Sequence, residues 1–183
     1  MLAARLVSLI LVAMGLVACG ESRNDAPEGT SDDATASPST PAADPTPIPA
    51  DRAGSFELDG MKYPFLVVRC DLTGRSPDGM LLRGNGTAPD RRRMTVEVER
   101  LPRGDMIHER ATVYFGSIVD GDHWTTRRSQ WPDGRWFVDP AGEEPAEGPL
   151  IRISGNELAV EDNFEHETEG TSRPGALGAV CPG

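Results

Sequence analysis

The sequence predicts an all-β domain, an antiparallel β-sandwich or open barrel of about nine or ten short strands. Three observations lead there. Glycine-centred turn signals recur every eight to fifteen residues through the C-terminal two-thirds of the chain. Between them, apolar and polar residues alternate with period two. No stretch after the first twenty residues sustains a helical period.

The elements follow in order. Phe56-Glu57-Leu58 and Met61 to Cys70 flank Asp59-Gly60, a pair suited to a two-residue hairpin because both positions need positive φ. Met80 to Arg83 is a short strand, and Gly84-Asn85-Gly86 reads as a turn; with no helix after it, it cradles no phosphate. Arg91-Arg92-Arg93 caps the hairpin into Met94, Val96 and Val98, which alternate with Thr95, Glu97 and Glu99. Ala111, Val113 and Phe115 repeat the pattern. Asp120-Gly121-Asp122 turns into a strand over His123 to Trp131, and Pro132-Asp133-Gly134 into Arg135 to Val138. Residues 139–148 read as an exposed loop. Leu150 to Ile153 and Glu157 to Val160 form a hairpin about Gly155-Asn156, and Ala176 to Cys181 is the last strand.

Three segments precede or make up this pattern: 1–18, 19–54 and 55–183. In the first, Arg5 supplies one positive charge, and Leu6 to Val17 is an apolar run broken only by Ser8 and Gly15. That length suits a secretory signal and falls short of a bilayer span. Residues 20–54 hold six prolines and an excess of acids with almost no apolar bulk. Such a segment cannot bury enough surface to fold, and its prolines favour an extended spacer. The domain at 55–183 carries a net charge of −7, within a 183-residue chain of net −11. A chain so acidic argues against nucleic-acid binding, which needs a basic face for phosphates.

Leu16-Val17-Ala18-Cys19 resembles the lipobox of bacterial lipoproteins. The resemblance implies a diacylglycerol on the Cys19 thiol and cleavage before it, making Cys19 the first mature residue. Two or three acyl chains would then hold the protein to a membrane. Gly20 stands where an aspartate would favour the inner membrane in Gram-negative members. The expected location is therefore the cell envelope: the outer membrane in a Gram-negative host, otherwise the outer face of the cell membrane. Export also bears on Cys70 and Cys181, an even pair in an oxidising compartment, read as a disulfide. A buried free pair or two soft metal ligands are the alternatives. The layout is similar to the mycobacterial 19 kDa lipoprotein antigen family in its lipobox, its Ser/Thr/Pro/Ala tether, Leu58-Asp59-Gly60-Met61, Cys70, Gly155 and the terminal Cys181. That likeness implies an exported all-β lipoprotein and carries over no active site.

Chemistry is sparse. His108, His123 and His166 have no recognised catalytic or metal spacing, and no nucleophile elbow is present. Glu165, Glu167 and Glu169 would share one strand face, where a hard cation or plain solvent balances them; solvent is the simpler reading. The sequence calls for no cofactor and no metal. Trp124, Trp131 and Trp136 fall close together beside Arg127 and Arg128. They either fill the core or form a stacking surface for a sugar or a protein, and they are the candidate binding surface. The reading is a lipid-anchored envelope protein that binds an envelope protein or glycan. The alternative is an exported hydrolase acting on cell-wall material through Asp/Glu acid–base pairs.

Overall fold

The computed structural model describes residues 47–74, 79–119, 121–139 and 144–183. Cys19, the leader and residues 20–46 of the tether lie outside the described residues. After one 3₁₀ turn at Ala50–Arg52 come eleven strands: β1 (Ala53–Leu58), β2 (Met61–Asp71), β3 (Met80–Thr87), β4 (Arg93–Arg103), β5 (Met106–Phe115), β6 (Asp122–Gln130), β7 (Trp136–Val138), β8 (Pro145–Ala146), β9 (Ile151–Ser154), β10 (Glu157–His166) and β11 (Ser172–Val180).

Eight of them form an antiparallel barrel. The strands β6, β5, β4, β3, β2, β1, β11 and β10 pair side by side, and β10 returns to β6. Closure removes the free edges that a sandwich would leave. The closing seam is short. Only Glu165 with Thr125 and His166 with Trp124 are paired across it. Beyond them the two strands part: β6 continues into β7 and β8, and β10 takes β9 as its partner.

An eight-stranded barrel is just wide enough for its inward side chains to fill it. Here Phe56, Phe65 and Phe164 do so, with Leu82, Met94, Val96, Val98 and Val113 around them. Room for the rings comes from small residues on neighbouring strands. Gly54 on β1 and Gly86 on β3 both stand in register with Phe65, and a Cβ added at Gly54 or Gly84 would overlap its ring. Gly84-Asn85-Gly86 is therefore strand and not the expected turn. Glycine there serves interior packing, a use that looks the same as a turn in the sequence.

Two further expectations change. Among the described residues the strands number eleven, because the loop expected over 139–148 contributes the two-residue β8. The strand expected to carry Glu165, Glu167 and Glu169 on one face ends at His166, and the turn that follows separates Glu169 from Glu165 and Glu167. The Asp59-Gly60 hairpin forms as expected, with φ of 53° and 80°.

The two ends of the barrel differ. The base holds the chain entry at Ala53, the Gly104-Asp105 turn and the Cys70–Cys181 disulfide, whose Cα atoms are 5.8 Å apart. Cys181 is latched further: its N–H donates to Asn156 O at 2.8 Å, and Asn156 Nδ2 donates to its carbonyl at 3.2 Å. Glu109 shares the inward register of Ala111, Val113 and Phe115 and is fully buried. Its carboxylate accepts from Arg100 Nε at 2.5 Å and from the N–H groups of Leu150 and Ile151 at 2.6 and 3.1 Å. A buried carboxylate is tolerable only when satisfied in this way. It fastens Leu150 and Ile151 beneath the barrel as a plug. At the other end, the connections at 59–60, 88–92 and 167–171, with residues 116–119 and 121, ring an open mouth.

Candidate functional site: the barrel mouth

The mouth is built by period-two alternation meeting hairpin geometry. The last inward side chain at the upper end of each strand points into the opening. Leu58 ends β1, Tyr63 lies near the start of β2, Phe115 ends β5, Trp124 lies near the start of β6 and His166 ends β10. Together they floor a cup of about 400 Å³, within the range of small-ligand sites. Tyr63 and Phe115 meet edge-to-face at 5.2 Å, and Phe56 lies beneath Tyr63 at 6.0 Å. The filled barrel below keeps the cup shallow, so it suits a compact group and not a long chain.

Two guanidinium groups lie over this floor. Arg92 sits 5.9 Å from the centre of the Phe115 ring, and Arg173 sits 5.4 Å from that of Trp124. Asp90 organises the first. It accepts the Arg92 N–H at 3.0 Å and Nε at 2.6 Å, and Arg92 also bonds Asp122 on β6. The backbone N–H and the guanidinium together hold the Asp90 carboxyl below its ordinary value, and the two aspartates raise Arg92 in turn. Arg173 Nη1 donates to Asp59 at 3.2 Å. His166 stands edge-to-face on Trp124 at 5.0 Å, and its Nδ1 accepts the Glu169 N–H at 3.1 Å. That bond assigns the proton of the neutral ring to Nε2, which faces Asp122 at 3.9 Å.

These rim pairs are half-exposed, so each contributes little to stability and can be exchanged for a ligand group. Apolar side chains also crown the rim. Met61 is 54% exposed beside the 59–60 hairpin, and Val119 is 92% exposed in the loop on the opposite side.

The five residues singled out in the sequence do not share one surface. Trp124 belongs to the mouth and is buried to 9% exposure. Trp131 lies seven residues on, past the other end of β6, about 23 Å away at the usual strand rise. It is exposed and lines a separate cleft with Trp136. Arg127 and Arg128 are neighbours on one strand and so point to opposite faces. Arg128 turns inward at the parted seam, bonding Asp162 at 3.1 Å and Gly148 O at 2.9 Å. Arg127 turns outward and lies 3.4 Å from Glu167, which also bonds His123. Glu165 and Glu167 line the cleft where the seam opens, while Glu169 joins the mouth.

One cluster imitates a hydrolase. Ser129 Oγ lies 2.7 Å from His108 Nδ1 and 3.3 Å from Asp139. A catalytic triad needs the serine and the acid on different nitrogens of the histidine. Here both face Nδ1, and Ser129 is fully buried. The cluster braces β5, β6 and the chain after β7 and does not present a nucleophile.

Sequence reasoning missed Arg92, Asp122, His166 and Arg173 as a group. Arg173 is 114 residues from its partner Asp59, and only the closed barrel brings them together. No protein-family model, curated protein or solved structure matches the chain. The site therefore rests on its own geometry.

Proposed function

We propose that this chain is a lipid-anchored protein of a bacterial envelope, held through Cys19, whose barrel binds a ligand or partner at its mouth. One observation carries the reading. Aromatic side chains and two exchangeable guanidinium groups converge at the end of the barrel opposite to the point where the chain enters. The chain joins the barrel at its base, so the linkage to Cys19 does not run through the mouth. The lipobox residues Leu16 to Cys19 support the anchor, and the Cys70–Cys181 disulfide fits an oxidising compartment.

The chemistry favours a compact apolar or aromatic group carrying an acidic substituent. The acid takes the place of Asp59 or Asp122 on a guanidinium, and the apolar body covers Tyr63, Phe115 and Trp124. A photo-crosslinking residue at Met61 or Val119 of the full chain in living cells tests this. The expected result is a discrete adduct from both rim positions that is lost when Arg173→Ala and Trp124→Ala are combined. Adducts only from Val68, which is 50% exposed on the outer wall, would count against the mouth.

A further inference from the structure

A second cleft lies on the β7–β8 appendage, apart from the mouth. We infer that it is a binding subsite for neutral sugar rings, with Trp131 as the stacking platform. The inference stands independently of the reading of the mouth.

Trp131 opens the turn between β6 and β7, and that turn is braced. Its N–H donates to Arg135 O at 2.9 Å, the Gly134 N–H donates to its carbonyl at 2.9 Å, and Gln130 Nε2 holds Gly134 O at 3.1 Å. Phe137 supports the indole at 5.3 Å with the planes inclined by 55°. The ring is thus held in one pose while 45% of the residue stays exposed. Leaving so much of the largest apolar side chain in water gives the fold nothing, and a fixed, exposed aromatic is a feature of binding sites.

Trp136 and the Pro145-Ala146 strand line the same cleft, whose volume is about 420 Å³. Strand β8 is the end of the sheet and Pro145 has no N–H, so its outer edge offers carbonyl acceptors to a ligand. Arg135 and Glu147 flank the opening, one a donor and the other an acceptor.

A sugar ring matches this arrangement. Its C–H face is apolar and lies flat on an indole, and its rim of hydroxyl groups both donates and accepts. Arg135 is paired with Asp133 at 2.7 Å, and Glu147 leaves the cleft slightly negative. An anionic ligand would meet Glu147 within a domain of net charge −7. A proline-rich peptide also stacks on tryptophan, but the donors and acceptors at both margins favour a polyhydroxylated ligand.

The test titrates the full chain with chitotetraose and with cellotetraose while following tryptophan emission. A saturable change with at least one of them is expected. Trp131→Ala should weaken it at least about tenfold, and Trp131→Phe, which keeps a ring, should retain most of it. An unchanged melting midpoint in both variants secures the comparison, since the Trp131 indole is half out of the fold. The inference is overturned if neither sugar gives a saturable change, or if Trp131→Ala binds as well as the parent. It is equally overturned if a proline-rich peptide gives the Trp131-dependent change and the sugars do not.

Discussion

The base and the mouth of this barrel use the same residue types for opposite ends. Each carries arginine–carboxylate pairs. At the base, the Glu109 carboxylate is fully buried and every oxygen has a partner: Arg100, and the N–H groups of Leu150 and Ile151. At the mouth, Arg92 with Asp90 and Arg173 with Asp59 are about half-exposed. Burial makes the first set costly to break and the second cheap to exchange. The disulfide is also at the base, so the end that holds the fold together is separate from the end that carries the proposed site.

That contrast can be broken by variants, from the largest effect to the smallest. Replacing Cys70 and Cys181 together with serine opens a loop closed over 111 residues and should lower stability by about 4–5 kcal/mol in urea denaturation. Glu109→Ala strands Arg100 and two buried N–H groups, and the same experiment should show a loss of about 3–5 kcal/mol. Gly84→Ala forces a methyl group against the Phe65 ring and should cost about 1–3 kcal/mol. Arg173→Ala at the mouth should change stability by less than about 1 kcal/mol, while it uncovers Trp124 and shifts its emission to the red. A mouth variant as damaging as Glu109→Ala would erase the distinction between the ends.

Acid gives the smallest effect. The Asp90 carboxyl is held low in the folded chain by the Arg92 N–H and guanidinium. Its contribution is therefore present above the ordinary carboxylate range and is lost as the pH falls through the lowered value. The melting midpoint of Asp90→Asn, followed between about pH 5 and pH 2, should fall less steeply than that of the parent.

The sequence carried the barrel wall well and its ends poorly. Alternation at Met94, Val96 and Val98 and at Ala111, Val113 and Phe115 predicts inward faces, and all six residues are buried. The Asp59-Gly60 turn was legible because few other pairs accept positive φ twice. Glu109 was legible too, though unread: it falls on the apolar face of its strand, where a carboxylate must be partnered. Gly84 and Gly86 misled because a glycine that makes room for a ring looks like one that makes a turn. The tryptophans misled because thirteen positions of sequence read as proximity, whereas β6 runs from the mouth to the base and separates Trp124 from Trp131. The mouth itself depends on contacts such as Arg173 with Asp59, which no local pattern encodes.

The most direct test of the account is the intact mass of the protein purified from membranes. The expected mass is that of a chain beginning at Cys19, heavier by two or three acyl groups and lighter by the two hydrogens lost in the Cys70–Cys181 disulfide. A mass without lipid would contradict the anchor.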